Sequence, residues 1–228
     1  MTNREFARMV DIVQLSPATT LGMVDALIED ACAGPFYSLG CPYCYHPYVI
    51  QKLRERGMEG TVRLLGGGGF PDGNWPTPVK LASVSRCLEV GCGEIDLTTN
   101  LGWIKSRMWE QYKSELEQTR QLARDVVLKV IIHSPQLTEE EIRTVCAIAL
   151  EIGADYIKTD TGRSPNPTTP EQVRLIRECI GGRAKIKASG GVRGVESVLA
   201  MQSAGADRLG MGQASAMEVF RALPQQND

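Results

Sequence analysis

The sequence predicts a (β/α)8 barrel, the TIM-barrel fold, in a single domain spanning residues 1–228. Eight short apolar runs alternate along the chain with longer amphipathic segments, as in a parallel sheet covered by helices. The length suits one barrel with a full hydrophobic core, and no linker divides the chain. An open doubly wound sheet has the same alternation and is the main alternative.

The predicted strands are the eight apolar runs. They lie at residues 9–15, 34–44, 60–65, 94–98, 126–133, 154–159, 184–188 and 208–210. In a barrel the carboxyl ends of the strands meet at one mouth, where such folds place their chemistry. Polar residues at those ends are therefore the first candidates for a site.

The predicted helices are the segments between the strands. In 138–152, Ile142, Val145 and Ala149 fall on one face at a spacing near 3.6, and Thr138 with Glu141 forms a capping box that opens the helix. The other helices are predicted at 19–32, 47–57, 76–90, 103–123, 169–180, 194–204 and 212–222.

The charge of the chain is nearly balanced, with 25 basic and 27 acidic residues and a net charge of −2. Because these charges are spread along the whole chain, neither nucleic acid nor an anionic membrane is expected as a partner. No apolar stretch of roughly 18 residues is present, and the N-terminus lacks the apolar region of a signal peptide. We expect a cytoplasmic protein.

The seven cysteines are an odd number scattered along the chain, so reduced thiols are expected. Cys41 and Cys44 have C-x-x-C spacing, but a zinc site needs two more ligands, and neither His46 nor His133 adds a second paired motif. No metal and no cofactor are expected. The glycine run at 66–69 lacks the Gly-Lys-Ser/Thr of a nucleotide loop and is expected to turn the chain after strand three.

Two lysines end neighbouring predicted strands, Lys158 on strand six and Lys187 on strand seven. Adjacent strands lie about 4.8 Å apart, so the two ammonium groups are expected to repel each other. A neighbouring cation lowers a lysine pKa, and the neutral amine attacks carbonyl groups. The pair predicts Schiff-base chemistry on Lys158, whereas an ordinary solvated lysine is the alternative. Asp96, at the end of strand four, is expected either to relay protons or to serve as a structural carboxylate.

Ordered motifs along nearly the whole chain resemble those of the deoxyribose-phosphate aldolase family. They are Cys44-Tyr-His-Pro, Gly69-Phe-Pro-Asp-Gly, Glu94-Ile-Asp, Lys129-Val-Ile-Ile, Ala154-Asp-Tyr-Ile-Lys-Thr-Asp-Thr-Gly, Lys187-Ala-Ser-Gly-Gly-Val-Arg and Ala204-Gly-Ala-Asp-Arg-Leu-Gly. The resemblance implies a class I aldolase, needing no metal, that reversibly cleaves 2-deoxy-D-ribose 5-phosphate to acetaldehyde and D-glyceraldehyde 3-phosphate. Its partners would be a small aldehyde or sugar phosphate. The sequence does not fix the oligomeric state, for which a homodimer is one candidate.

The resemblance also implies roles for individual residues. Lys158 matches the Schiff-base lysine, Lys187 the lysine that lowers its pKa, and Asp96 the proton-relay carboxylate. The implied substrate-binding residues are Asp11, Cys44, Thr161, Gly162, Arg163, Gly190, Gly191, Val192, Arg193 and Gly210. Asp11 is placed at the end of strand one. Cys44 fits a small buried hydrophobic residue equally well.

Several positions depart from the family pattern. Asp11-Ile-Val lacks the family's threonine, and Met211-Gly-Gln stands where one or two serines usually bind phosphate. Asp160 replaces a serine, and its charge is expected either to raise the Lys158 pKa or to hold Arg163. The role of His133 also stays open.

These departures fit a changed acceptor aldehyde. A divergent aldolase acting on a different or non-phosphorylated aldehyde is therefore the second hypothesis. A barrel that only binds its ligand is the third, and the joint retention of both lysines and the aspartate argues against it.

Overall fold

The computed structural model describes residues 1–225, and in it eight parallel strands close into a barrel in chain order. Each strand pairs with the next, and the last strand pairs with the first. The predicted (β/α)8 fold is confirmed, and the open sheet was the wrong alternative. Residues 226–228 of the predicted domain lie outside the described residues.

The strands are three to six residues long. They are β1 Val10–Val13, β2 Ser38–Gly40, β3 Arg63–Gly68, β4 Glu94–Thr98, β5 Val127–Ile131, β6 Tyr156–Lys158, β7 Lys185–Ser189 and β8 Arg208–Gly212. Every predicted strand overlaps an observed one, and most differ only at their ends.

The second and third strands were placed least well. The predicted strand at 34–44 is too long, because Gly34 ends a helix and only Ser38–Gly40 joins the sheet. The predicted turn at 66–69 is wrong, since three of these glycines belong to β3. A Cβ at Gly67 would lie 2.3 Å from the Asp96 carbonyl oxygen, so the strand needs glycine there for close packing.

The helices surround the barrel. They are α1 Asn3–Arg8, α2 Leu21–Ala33, α3 His46–Glu55, α4 Thr77–Glu89, α5 Leu101–Lys105, α6 Trp109–Leu122, α7 Glu139–Glu151, α8 Pro170–Ile180, α9 Gly194–Ser203 and α10 Gln213–Ala222. Short 3-10 helices occur at Tyr43–Tyr45 and Ser134–Gln136. No helix in the described part of the chain is long and apolar enough to cross a membrane.

Two helical features differ from the prediction. Helix α1 was not predicted, although Thr2 and Glu5 form a capping box at its start. The predicted helix at 103–123 is divided into α5 and α6, because Arg107 has a left-handed backbone with φ 55°. The capping box of Thr138 and Glu141 at the start of α7 is confirmed.

The apolar core lies between the strands and the helices, whereas the barrel interior is charged. Strand β4 shows this division, because Ile95 and Leu97 belong to the apolar core. The alternate residues Glu94 and Asp96 form ion pairs with Lys129 of β5. The interior therefore holds an ion-pair network where barrels usually hold branched apolar side chains.

Candidate active site

A cleft of about 450 Å³ opens at the mouth of the barrel, within the usual range for a small-molecule site. Lys158 is the last residue of β6 and lies directly opposite Lys187 in the register of β7. Most of the predicted site residues line this cleft. They are Lys158, Thr161, Gly162, Arg163, Lys187, Gly190, Gly191, Val192, Arg193 and Gly210.

Asp96 and Asp11 lie beneath the cleft and are both buried. They occupy the middle of β4 and β1, and the predicted positions at the strand ends are wrong. Asp96 Oδ2 accepts hydrogen bonds from Lys158 Nζ at 2.8 Å and from Lys187 Nζ at 2.9 Å. One carboxylate oxygen therefore connects the two lysines.

Lys129 is a third buried lysine of the network, and it was not predicted as a site residue. Its Nζ donates to Asp96 Oδ1 at 2.9 Å and also contacts Glu94. Arg208 continues the network, since its Nη1 lies 2.6 Å from Glu94 Oε2 and 3.5 Å from Asp11 Oδ1. These residues could have been found in the sequence, because charged residues recur within the apolar strands at a period of two.

Asp96 is held as a carboxylate by its neighbours. Burial opposes its ionisation, but the ammonium groups of Lys129, Lys158 and Lys187 outweigh that effect and hold the Asp96 pKa well below its usual range. The Asp11 pKa is also lowered, because the attraction of Lys187, Lys129 and Arg208 exceeds the opposing effect of burial. Both groups can therefore accept protons from the lysines only transiently.

The Lys158 pKa is lowered to about 8, chiefly by burial of its ammonium group. Asp96 opposes this shift, and the charges of Lys187 and Lys129 add to it. Repulsion by Lys187 thus contributes to the lowered pKa as predicted, but its effect is smaller than that of burial. A substantial share of the Lys158 side chains is neutral near pH 8 and able to act as a nucleophile.

The fully buried charges of the interior balance when Lys158 is neutral, and Arg63, which also pairs with Glu94 at 3.1 Å, is half-exposed at the edge of the network. Three buried carboxylates then face three buried cations. The carboxylates are Asp11, Glu94 and Asp96, and the cations are Lys129, Lys187 and Arg208. Because unpaired charge is disfavoured in a buried site, this balance supports the neutral amine.

Asp160 orders the loop after β6, and in the described structure it does not pair with Arg163. Its Oδ2 accepts a hydrogen bond from the Gly162 N–H at 2.6 Å, and its Oδ1 accepts one from Ser164 Oγ at 2.5 Å. Arg163 instead donates to the Leu15 carbonyl at 3.0 Å. His133 Nδ1 lies 3.8 Å from Asp160 Oδ1, in a buried position that lowers the His133 pKa. This loop is thus fixed at the edge of the cleft.

Cys44 is exposed on the 3-10 helix before α3, so the interpretation as a buried hydrophobic residue is wrong. It is not among the residues that line the cleft in the described structure. Cys41 is buried, and burial raises its thiol pKa to about 12. The structure therefore does not bring this pair into the lysine site.

Two helix N-termini face the cleft, those of α9 and α10. Neither receives a side-chain cap from its N-cap residue, Arg193 or Gly212, so first-turn N–H groups remain available to an anion. Gln213 donates to Asp30 at 2.7 Å, and Met211 is buried. Ser189 and Ser215, which were not predicted as site residues, also line the cleft.

Comparisons with known proteins place the chain among the aldolases built on this barrel. Residues 62–222 match the model of a protein family described as DeoC/LacD family aldolase. Deoxyribose-phosphate aldolase from Thermococcus kodakarensis is 35% identical over 99% of this chain and 100% of its own length. The enzyme of the same name from Brevibacillus brevis is 36% identical over 89% of this chain and 90% of its own length. The chain belongs to the DeoC/LacD family of aldolases.

Solved structures support the same assignment. An aldolase designated QR15 superposes with a TM-score of 0.88 at 31% identity and covers 96% of this chain and 95% of its own. A tetrameric deoxyribose phosphate aldolase from Aeropyrum pernix has a TM-score of 0.85 at 27% identity, over 97% of this chain and 92% of its own. The fold and the family thus agree over nearly the full length.

Proposed function

We propose that the protein is a class I aldolase that reversibly cleaves 2-deoxy-D-ribose 5-phosphate to acetaldehyde and D-glyceraldehyde 3-phosphate. The observation that carries the proposal is the buried triad in which Asp96 bonds both Lys158 and Lys187 beneath an open cleft. The names of the relatives support the substrate. A pKa of about 8 supports Lys158 as the nucleophile.

The reaction uses the amine of Lys158 as the nucleophile and the pair of Lys187 and Asp96 to move protons. Neutral Lys158 attacks the substrate aldehyde to give a carbinolamine, which loses water and becomes an iminium. The bond between C2 and C3 then breaks, the C3 hydroxyl loses its proton, and the electron pair stays on C2 as an enamine. Protonation of that carbon and hydrolysis release acetaldehyde and regenerate Lys158. Lys187 and Asp96 lie within hydrogen-bond distance of each other, so they can pass the protons of these steps.

The phosphate is assigned to the uncapped N-termini of α9 and α10. Their first-turn N–H groups and helix dipoles favour an anion, and the exposed Arg163 and Arg193 line the same cleft. The side chains of Met211 and Gln213 do not replace the family's serine hydroxyls, since one is buried and the other bonds Asp30. This observation favours the second candidate, an aldolase whose substrate is a different or non-phosphorylated aldehyde.

Reductive trapping tests the shared chemistry. Incubation with acetaldehyde and cyanoborohydride should add one ethyl group to the intact chain, and peptide mapping should place it on Lys158. Lys158→Met should remove the adduct, whereas Lys185→Met, which removes an exposed lysine of neighbouring β7, should retain it. An unmodified wild-type mass would overturn both aldolase candidates and leave a barrel that only binds.

Substrate comparison separates the two aldolase candidates. The first predicts that kcat/KM is much higher for deoxyribose 5-phosphate than for free deoxyribose, with the difference chiefly in KM. Similar values for both sugars would favour the second candidate. A cytoplasmic location, a role in carbohydrate catabolism and a homodimeric assembly remain expectations from the sequence, and sedimentation analysis would test the assembly.

A further inference from the structure

A second cluster of chemically reactive side chains lies outside the barrel, near helices α3 and α4. His46 begins α3, Cys87 lies in the last turn of α4, and Cys92 precedes β4. All three residues are buried, and one ligand atom from each lies within 4.8 Å of the other two. The proposed aldolase reaction uses none of them.

The two thiols are brought together by the end of α4. The Cys92 N–H donates to the Cys87 carbonyl at 3.0 Å, and the Gly91 N–H donates to the Leu88 carbonyl at 3.0 Å. With Gly91 at φ 94°, these bonds form a Schellman motif. Side chains at the positions of Cys87 and Cys92 usually make an apolar contact in this motif, so the pair alone needs no further explanation.

His46 is not explained by apolar packing. It is buried at 1% exposure, and the neighbour of its Nδ1 is the thiol of Cys92, whose Sγ lies 3.3 Å away. Buried polar atoms are normally paired, and a thiol is a weak partner. A buried imidazole beside two thiols is therefore better suited to a ligand than to a core position.

The space for the cluster is provided by Gly66 of β3. A Cβ at this position would lie 2.5 Å from Cys87 Cβ, 2.9 Å from Cys87 Sγ and 3.1 Å from Cys92 Cβ. Any side chain at Gly66 would therefore occupy the place of the thiols. This requirement is separate from the close packing that Gly67 needs on the barrel side.

We propose that His46, Cys87 and Cys92 bind a thiophilic divalent cation of the zinc class. Tetrahedral zinc with one nitrogen and two sulfur ligands places N and S about 3.5 Å apart, close to the separation of 3.3 Å between His46 Nδ1 and Cys92 Sγ. On binding, two Zn–S bonds and one Zn–N bond form and the two S–H protons leave to solvent, without oxidation. A water molecule completes the fourth position. The ion ties the start of α3 to the turn between α4 and β4.

Cobalt substitution tests the proposal on the full-length chain. Protein reduced with a phosphine and freed of metal by chelation is titrated with Co²⁺ and then with Zn²⁺. The expected result is one equivalent of cobalt per chain, with thiolate-to-cobalt charge-transfer absorption and the d–d bands of a tetrahedral ion, which zinc then abolishes. Zinc should also raise the Tm. Absence of charge-transfer absorption would mean that the cluster is held only by hydrogen bonds and would overturn the proposal.

Variants locate the ion. Cys87→Ala and His46→Gln should each raise the cobalt Kd by more than about 100-fold. Cys146→Ala is the matched control, because it removes a buried thiol that lies near another cysteine, Cys179. Unchanged binding in the His46 variant would overturn the proposal, as would a Cys87–Cys92 disulfide in the chain as isolated. If Cys87→Ala does not fold, Cys92→Ser replaces it.

Discussion

The reactivity of Lys158 depends on a balance of effects at its ammonium group. Burial lowers its pKa most, Asp96 raises it, and Lys187 lowers it further. The roles of the two lysines could be predicted from the sequence, because both residues stand in recognisable motifs at the ends of apolar runs. The effect of burial could not be predicted, because the environment of Nζ is created only when distant strands close around it.

Replacing Lys187 by methionine should raise the Lys158 pKa by about one unit. The variant loses a cation that repels the Lys158 ammonium group, and Asp96 loses a competing partner and bonds Lys158 more strongly. The initial rate of reductive trapping with acetaldehyde, measured against pH, reports this shift. The wild-type midpoint is expected at about 8 and the variant midpoint above it.

Two further variants control this measurement. Lys185→Met, on the same strand but exposed, should leave the midpoint unchanged. Asp96→Asn should move the midpoint in the opposite direction, because it removes the attraction that stabilises the charged amine. A Lys187→Met profile that superposes on the wild type would remove Lys187 from the tuning of Lys158.

Asp160 illustrates what residue identity alone cannot decide. Its charge beside Lys158 in sequence suggested an electrostatic effect on that lysine or an ion pair with Arg163. In the structure its carboxylate instead accepts from the Gly162 N–H and Ser164 Oγ. The direction of a side chain at a strand end depends on the loop that follows, and that loop has no periodic pattern to predict it.

At the scale of elements, periodicity predicted the number, order and type of the strands, and it failed where glycine replaces apolar residues. Strand β3 ends in Gly66–Gly67–Gly68, which local preferences assign to a turn. Tertiary contacts require these glycines, because neighbouring groups occupy the places where Cβ atoms would stand. Arg107 likewise divides a segment that the pattern predicts as one helix.

Two glycine substitutions should therefore have opposite effects on stability. Gly67→Ala should lower the free energy of unfolding by about 1–3 kcal/mol, because its Cβ would lie 2.3 Å from the Asp96 carbonyl oxygen. The Cβ of Gly22→Ala in α2 would lie more than 4 Å from every described atom outside its own stretch of helix, so this variant should raise the free energy of unfolding by up to about 1 kcal/mol. Urea unfolding of both variants gives these values. A neutral Gly67→Ala would show that the barrel wall relaxes at this point.

At the scale of the whole molecule, the barrel encloses a network of ion pairs. The carboxylates of Asp11, Glu94 and Asp96 come from two strands, and their cationic partners come from three others. The individual charges are visible in the sequence, but their pairing depends on the register and closure of the sheet. The network is therefore a property of the fold, and it couples the protonation of Lys158 to stability.

This coupling predicts that alkaline pH stabilises the protein relative to a variant without Lys158. The folded pKa of Lys158 is about 8, and that of an unfolded lysine is about 10.4. Between these values the unfolded chain binds more protons at this site, so the free energy of unfolding rises with pH, by about 3 kcal/mol in total. This contribution is fully present above the unfolded pKa and is lost as pH falls through the folded pKa.

Denaturant unfolding across this pH range, compared between the wild type and Lys158→Met, measures the effect. Other groups that ionise in the same range, including the tyrosines and cysteines, are present in both proteins and largely cancel in the difference. The difference in unfolding free energy should change with pH between about 8 and 10.4 and be constant below that window. A difference independent of pH would mean that the Lys158 pKa is not lowered on folding, and the barrel interior would then hold one buried cation more than its three carboxylates balance.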